Sequence, residues 1–393
     1  MRIDAVKLAN RMKSISPNIL ADLEDKKRER LLQNKPVYNL SAGTPDLPPD
    51  EHVMKALSEA CLVPENYKYA ITDLPELLDA AIGWYDRRFN VSLERDNITA
   101  VYGTQEGMAH ICFPLCDPGD IVLVPDPGYP VFRFGPFMMG AEVVPIPLSA
   151  SNGFLIDFEK IDSELAKKAK VMIVCYPNNP VTAYATDDFY LNLIAFAKKY
   201  DIFVIHDNAY GELMLDGKIG RSFLSFPGAM EVGMEFNSLS KSYNLPGMRI
   251  SFAIGDKDVI KAFKSMRSQI DYAHFQAIQK AAIAVLNGPQ DILERNRNEY
   301  KARRDALAEG LNKIGWEVPR NNGTMFVWYP IPKGYTDDFE FAMELIEKTG
   351  IICVPGQSFG EMGKGYIRIA LVEPIPVLEE AVSALAASGM ISK

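Results

Sequence analysis

The sequence predicts an α/β protein: a mostly parallel sheet covered by helices on both faces, joined to a second, smaller α/β lobe. Three observations carry this. Between about residues 50 and 290, short runs that are apolar throughout alternate with longer segments of helical spacing, as strands buried on both faces and their crossover helices do. A long helical stretch, 276–315, then bridges to the C-terminal part. Beyond it the alternation resumes with fewer strands.

In chain order, residues 1–45 read as a helix, a charged helix and the short strand "PVYNLSAG". The strand candidates that follow are "DIVLVPDPGYP", "AEVVPIPL", "KVMIVCYPNNP", "DIFVIHDNAYGEL" and "RISFAIG". "DDFYLNLIAFAKKY" and "KDVIKAFKSMRSQI" show helical spacing. In the second lobe "GTMFVWYPI", "GIICVPGQSFG" and "GYIRIALV" alternate with the helices "DDFEFAMELIEKTG" and "PVLEEAVSALAASG". No internal repeat or low-complexity linker interrupts the pattern.

With 393 residues, 48% of them hydrophobic, the chain can bury one large core and a second lobe. Its net charge of −9 argues against general nucleic-acid binding. The mixed run "EDKKRER" reads as a solvated helix face. Five cysteines (Cys61, Cys112, Cys116, Cys175, Cys353) are scattered. Cys112 and Cys116 lack the second pair of a zinc site, so all five read as buried free thiols in a reducing compartment. The N-terminal "MRIDAVKLANRMKSISPN" has no apolar core of signal-peptide type. No run of about 18 uncharged apolar residues occurs. The expectation is a cytoplasmic protein that engages neither membrane nor nucleic acid.

Ligands of parallel-sheet domains collect at the carboxyl ends of the strands. The polar residues there are "PDPGYP" (125–130), "YPNNP" (176–180), "HDNAY" (206–210) and "NSLSKS" (237–242). In the last of these, Lys241 is a lone amine among small and apolar residues, and Arg249 follows one short loop later. A partly desolvated amine has a lowered pKa and attacks carbonyls. Ser238, Ser240 and Arg249 suit an anion, the arginine offering a fork matched to phosphate. An imine-forming lysine beside a phosphate cradle suggests pyridoxal phosphate, which also calls for an acid at its pyridine nitrogen. Asp207, at the end of "IFVIHD", is the candidate.

These motifs resemble those of the class I/II pyridoxal-phosphate-dependent aminotransferases of fold type I. The resemblance covers essentially the whole chain, with a texture closest to the aspartate, alanine and LL-diaminopimelate group. "SLSKSYNLPGMRI" is similar to the family's Schiff-base signature, implying that Lys241 is the aldimine lysine and that Ser238, Ser240 and Arg249 surround the phosphate. "HDNAY" resembles D-x-A-Y, implying that Asp207 pairs with the pyridine nitrogen and Tyr210 with the 3-oxygen. "YPNNP" implies Asn179 at the 3-oxygen and beside the substrate, although "NPVTA" stands where the family has "NPTG". "GTQEGM" is similar to the phosphate turn, with Gly103, Thr104 and Gln105 opening a helix. Tyr129 in "PDPGYPVF" would stack on the ring. "NYKYAITDLPEL" resembles "YxxTDGLPEL" without its glycine, implying that Tyr69, with Tyr67 as the other candidate, reaches the phosphate of a neighbouring subunit. "GYIRIAL" implies that Arg368 grips the substrate α-carboxylate, and "LSAGTPD" that Ala42 and Gly43 approach the substrate by backbone.

The resemblance further implies a large cofactor-binding domain over 46–285 with a seven-stranded sheet. A small domain is then built from both termini, 1–45 and 286–393. The implied assembly is a homodimer with shared active sites, and the apolar and aromatic content of the first 140 residues offers it a surface. The implied activity is amino-group transfer between an L-amino acid and a 2-oxo acid, with 2-oxoglutarate expected, by ping-pong chemistry. A pyridoxal-phosphate-dependent carbon–sulfur β-lyase is the alternative, since it shares these residues. A nicotinamide enzyme would need G-x-G-x-x-G after a first strand, and a cofactor-sensing regulator would need a DNA-binding segment; neither is visible. His52, His110, His206 and His274 lack metal spacing, so no metal is expected. His206 either orients Asp207 or fills a core position. Trp84, Trp328 and Met138–Met139 read as packing residues. Arg267 is a candidate partner for a substrate side-chain carboxylate, but no motif fixes the side-chain specificity.

Overall fold

The computed structural model describes residues 9–14 and 19–391. Its strands are, in chain order, β1 (Tyr38–Asn39), β2 (Ile98–Val101), β3 (Ile121–Asp126), β4 (Glu142–Pro147), β5 (Ala169–Cys175) and β6 (Phe203–Asn208). They continue with β7 (Gly233–Ser238), β8 (Ser251–Ile254), β9 (Phe326–Pro330), β10 (Ile351–Ile352), β11 (Val354–Pro355) and β12 (Tyr366–Ala370). Seven of them make one sheet in the order β2-β8-β7-β6-β5-β3-β4. β8 is antiparallel to both neighbours, and every other pair is parallel.

The central strands are uniformly apolar because both faces are covered. On β6, Val204 joins the cluster that holds Tyr190 and Leu193, whereas Ile205 joins the cluster of Val122 and Phe236 on the other face. This alternation decides which side chains of β6 and β7 share a side. The covering helices are set by local chemistry. In Asp187–Tyr200 the Thr186 hydroxyl accepts the Phe189 N–H, acids fill the first turn and Lys198 and Lys199 the last. Such a cap contributes about 1 kcal/mol, and the charges complement the helix dipole.

A further core, including Tyr300, Phe326, Tyr329, Phe341 and Leu378, belongs to the C-terminal lobe. Its antiparallel sheet runs β11-β12-β9. The early strand β1 pairs in parallel with β10, Tyr38 opposite Ile351. The helix Ile375–Ala387 packs on the long helix Asp291–Lys313.

Several expectations needed revision. β2 was not foreseen as a strand. The stretch 276–315 is two helices, Gln276–Asn287 and Asp291–Lys313. Pro289 lies between them, and proline disfavours helical backbone before it and removes a donor. "GIICVPGQSFG" gives β10 and β11 with Cys353 between them. The expected first helix lies mostly outside the described residues, and Asn10–Ser14 form a 3-10 turn. The charged helix is Ile19–Leu32. All five thiols are free, and four are buried, but Cys61 is half-buried. Trp84 and Trp328 are core residues. Among the described residues no helix is long and apolar enough to cross a membrane.

Candidate active site

The carboxyl ends of β3, β5, β6 and β7 open on a cavity of about 300 Å³. At the end of β6, Asp207 is buried and its Oδ1 has no hydrogen-bond partner. Burial raises the carboxyl to about 6, and the charge of His206 opposes the rise. Tyr210 lines the same wall, its phenol pushed well up by burial.

The next wall comes from the turn after β7. The Ser238 Oγ accepts the Ser240 N–H at 3.1 Å and the Ser251 hydroxyl at 2.8 Å, which shapes the single helical turn Leu239–Ser242. Ser238, Ser240 and Lys241 all face the cavity. Lys241 Nζ donates to the Gly43 carbonyl at 2.5 Å. Burial above all, and then Arg368 and Arg249, lower the amine to about 8.

Arg249 follows the 3-10 turn Pro246–Met248 in a left-handed conformation, φ +54°. Its guanidinium donates to the carbonyls of Pro246 and Tyr102, both at 3.0 Å. Beside it Gly103 has φ +92°, and an added Cβ there would lie 2.2 Å from Arg249 Nη2. Only glycine suits both the conformation and the gap. Thr104 and Gln105 continue this wall, and the Tyr129 hydroxyl donates to Gln105 Oε1 at 2.9 Å.

The opposite wall joins the two ends of the chain. Arg368, on β12, is buried; it donates to Asn179 Oδ1 at 2.8 Å and to the Ser41 carbonyl at 3.0 Å. Its guanidinium lies over Phe326, 4.2 Å from the ring centre, and over Phe359 at 4.8 Å. Its Nε lacks a partner, and burial lowers the group to about 10. Ala42 and Gly43 complete this side. An added Cβ on Gly43 would meet the Phe326 ring at 2.6 Å, so the loop passes where only glycine fits.

Apart from Arg267 and Tyr67, the one candidate site residue that does not line this cavity is Tyr69. Its ring is 81% exposed and meets Tyr272 edge-on at 5.3 Å. Tyr67 is also exposed, its hydroxyl donating to the Cys61 carbonyl at 2.9 Å. Arg267 does not line the cavity; it donates to the Ala100 carbonyl at 2.7 Å and to Glu106. Four lining residues were missed: Ser41, Thr44, Ala209 and Phe326. Ser41 and Thr44 lie within "LSAGTPD" and Ala209 within "HDNAY", so membership of a quoted motif was the available signal. Phe326 had none, because its place depends on how the lobes pack. In "NPVTA", Thr182 stands at φ +62°, in the left-handed region.

An unpartnered carboxylate oxygen, an amine poised near neutrality and an arginine–glycine notch fit a group with a protonated ring nitrogen, a carbonyl and a phosphate. Residues 35–385 match the family described as aminotransferase class I and II. The chain belongs to this aminotransferase family. It is a pyridoxal-phosphate-dependent aminotransferase. The LL-diaminopimelate aminotransferase of Moorella thermoacetica is 42% identical over 96% of this chain and 97% of its own. That of Aquifex aeolicus is 40% identical over 95% and 97%. Among solved structures, apo-BacF from Bacillus subtilis superposes on this aminotransferase with a TM-score of 0.94, at 34% identity over 98% of both chains. A double mutant of Thermus thermophilus aspartate aminotransferase gives 0.91, at 26% identity over 98% of this chain and 100% of its own. The carbon–sulfur β-lyase alternative is not supported by these relatives.

Proposed function

We propose that this aminotransferase moves the amino group of LL-diaminopimelate to 2-oxoglutarate, with Lys241, Asp207 and Arg368 as its principal active-site residues. The observation that carries the site is the convergence of these three side chains on one cavity. The donor is suggested by the names of relatives 40–42% identical over nearly their whole length.

Bound pyridoxal phosphate supplies an electron sink for the pair left when the substrate α-carbon loses its proton. Arg249 and Ser238, with Ser240 and the Gly103–Gln105 turn, would hold its phosphate, and Tyr129 would stack on its ring. Asp207 keeps the proton on the pyridine nitrogen. Asn179 Oδ1 accepts from Arg368, which leaves its amide N–H free to donate to the 3-oxygen, which Tyr210 would share. Arg368 receives the substrate α-carboxylate as a fork, while Ala42 and Gly43 close on the substrate by backbone. Lys241 would hold the cofactor covalently at its carbonyl carbon. Its Nζ, placed in the same cavity as Arg368, would also be the base that takes the substrate α-proton and the acid that returns it. The first 2-oxo acid leaves before the second binds, giving ping-pong kinetics.

The large domain is placed at 46–285 and the small one at 1–45 with 286–393. The enzyme is taken to be a cytoplasmic homodimer in which Tyr69 serves the partner's phosphate. Supporting the dimer is an exposed apolar surface of Leu62, Tyr67, Tyr69, Ile71, Ile270 and Tyr272. The test is a panel of LL-diaminopimelate, aspartate and alanine with 2-oxoglutarate, with glutamate measured as the product. A preference for aspartate or alanine would overturn the proposed donor. Pyruvate released from cystathionine without any 2-oxo acid would restore the lyase alternative.

A further inference from the structure

Behind the cavity floor lies a polar cluster that these steps do not use. His206 and Glu235 are register partners on β6 and β7, and both are fully buried. Glu235 Oε1 accepts the Tyr85 hydroxyl at 2.8 Å and the Ser222 hydroxyl at 3.0 Å. Its Oε2 accepts the Phe223 N–H at 2.8 Å and faces His206 Nδ1 at 3.0 Å. The Ser222 oxygen already accepts the Leu224 N–H, so its proton points to Glu235. A carboxylate has roughly four acceptor positions. All are taken, and Glu235 is assigned as the anion.

The other ring nitrogen of the histidine, Nε2, faces the Tyr176 carbonyl at 3.1 Å and the Tyr190 hydroxyl at 3.3 Å. A carbonyl only accepts. The carboxylate calls for a proton on Nδ1 and the carbonyl for one on Nε2, so the ring is assigned as an imidazolium, against a neutral Nδ1–H tautomer whose Nε2 accepts from the Tyr190 hydroxyl. A buried ion pair is a weak source of stability, since an apolar pair of similar volume often does as well. Its retention here calls for another role.

His206 directly precedes Asp207 on β6. Successive side chains leave a strand on opposite faces, so the imidazole lies against Tyr190 and Phe223 while the carboxylate enters the cavity. We infer that His206 and Glu235 are a positioning pair for Asp207. The pair ties β6 to β7 and to the Tyr176 carbonyl, and it keeps a positive charge directly behind the carboxylate that meets the cofactor's ring nitrogen. This rests on the role given to Asp207 above.

The surroundings leave the imidazolium as the counter-charge on this face. Tyr85, Tyr176 and Tyr190 are phenols pushed up by burial, and so remain neutral. On β5 the register partner of Asp207 is Cys175, a thiol that burial also pushes up. Lys241, Arg249 and Arg368 act from the cavity side. Burial raises the Asp207 carboxyl, His206 opposes that rise, and Glu235 adds to it. Removing the histidine charge alone therefore leaves an uncompensated anion behind Asp207, whereas removing both charges does not.

Two measurements test the pair. The chain has only four histidines, so ¹⁵N-histidine spectra of the cofactor-free protein resolve them, with His206 assigned by its loss in His206→Gln or, if that variant misfolds, by variants of the other three. Both nitrogens of His206 are expected to be protonated at neutral pH. A neutral tautomer would overturn the inference without any variant of the pair having to fold. The second measurement is the visible absorbance of the cofactor-loaded enzyme against pH. His206→Gln should raise its midpoint by about half a unit or more, because a less firmly protonated ring leaves the Lys241-bound nitrogen more basic. The double variant His206→Gln/Glu235→Gln should return most of the way to wild type. An unmoved single variant, or a double variant displaced at least as far, would mean that the pair only fills the core. Asp207→Asn checks the underlying role separately: an unchanged spectrum there would remove Asp207 from the ring nitrogen, whatever His206 does.

Discussion

Lys241 Nζ and the Gly43 carbonyl meet at 2.5 Å although 198 positions separate them in the chain. The amine is thereby held beside the loop that carries Ala42 and Gly43, and burial lowers it to about 8.

In the cofactor-free enzyme, Lys241 should react with an amine-selective acylating reagent with a midpoint near pH 8. Below that pH the ammonium is unreactive; above it the free amine is exposed to reagent more than two units earlier than ordinary lysines, which titrate near 10.4. Borohydride reduction of the loaded enzyme should fix the cofactor on the peptide containing residue 241. Label on a different lysine would refute the assignment.

Asp207→Asn should still bind cofactor but lose most transamination. The amide cannot hold a proton on the ring nitrogen, and general losses of this kind reach two or more orders of magnitude. Near-normal turnover would mean that another acid serves the ring.

Gly103→Ala should weaken cofactor binding by about tenfold or more while leaving the fold intact. The new methyl would collide with Arg249 and displace a charged donor from the phosphate, worth about 1.5–3 kcal/mol. Equilibrium dialysis of the cofactor against the variant reads this directly.

Arg368→Lys should raise KM for both amino and 2-oxo acids by roughly tenfold to a hundredfold, with a smaller effect on kcat. Lysine carries the charge but not the fork, and it cannot serve Asn179, the Ser41 carbonyl and a carboxylate together. A variant with unchanged KM would make Arg368 a structural cation.

Sharing of sites can be tested by mixing subunits. Tyr69→Phe alone should weaken cofactor binding by about tenfold to a hundredfold, one hydrogen bond to a charged group. Combined with Lys241→Ala subunits, the surviving Lys241 site receives an intact Tyr69 from its partner and should regain wild-type affinity. Persistence of the defect, or an active monomer in sedimentation, would remove the shared site.

The sequence was most legible where chemistry and strand ends coincide. Asp207 and Lys241 could be named because each stands at or just beyond the end of a buried strand, whereas Arg368, in the middle of β12, was named from the resemblance of "GYIRIAL". β2 was illegible because "NITAVYG" is short and begins in polar residues. Phe326 was hidden because its approach to Gly43 joins the two ends of the chain, which no local pattern states. The His206–Glu235 pair depends on strand register, which the local pattern of neither segment states. The break at Pro289 was visible in principle, but the strong helical spacing on both sides masked it.

The contact between Arg368 and the Ser41 carbonyl spans 327 positions, and this sets a timetable for biosynthesis. A ribosome adding about 5–20 residues per second takes roughly 16–65 s to travel between them. Throughout that interval the nascent chain has made its reactive lysine or is about to, yet lacks the wall that completes the cavity. The wall proposed to receive the substrate is thus completed after every residue assigned to the cofactor has been made. A chain stalled before β12 would carry Lys241 as an unguarded amine, open to any aldehyde in its surroundings.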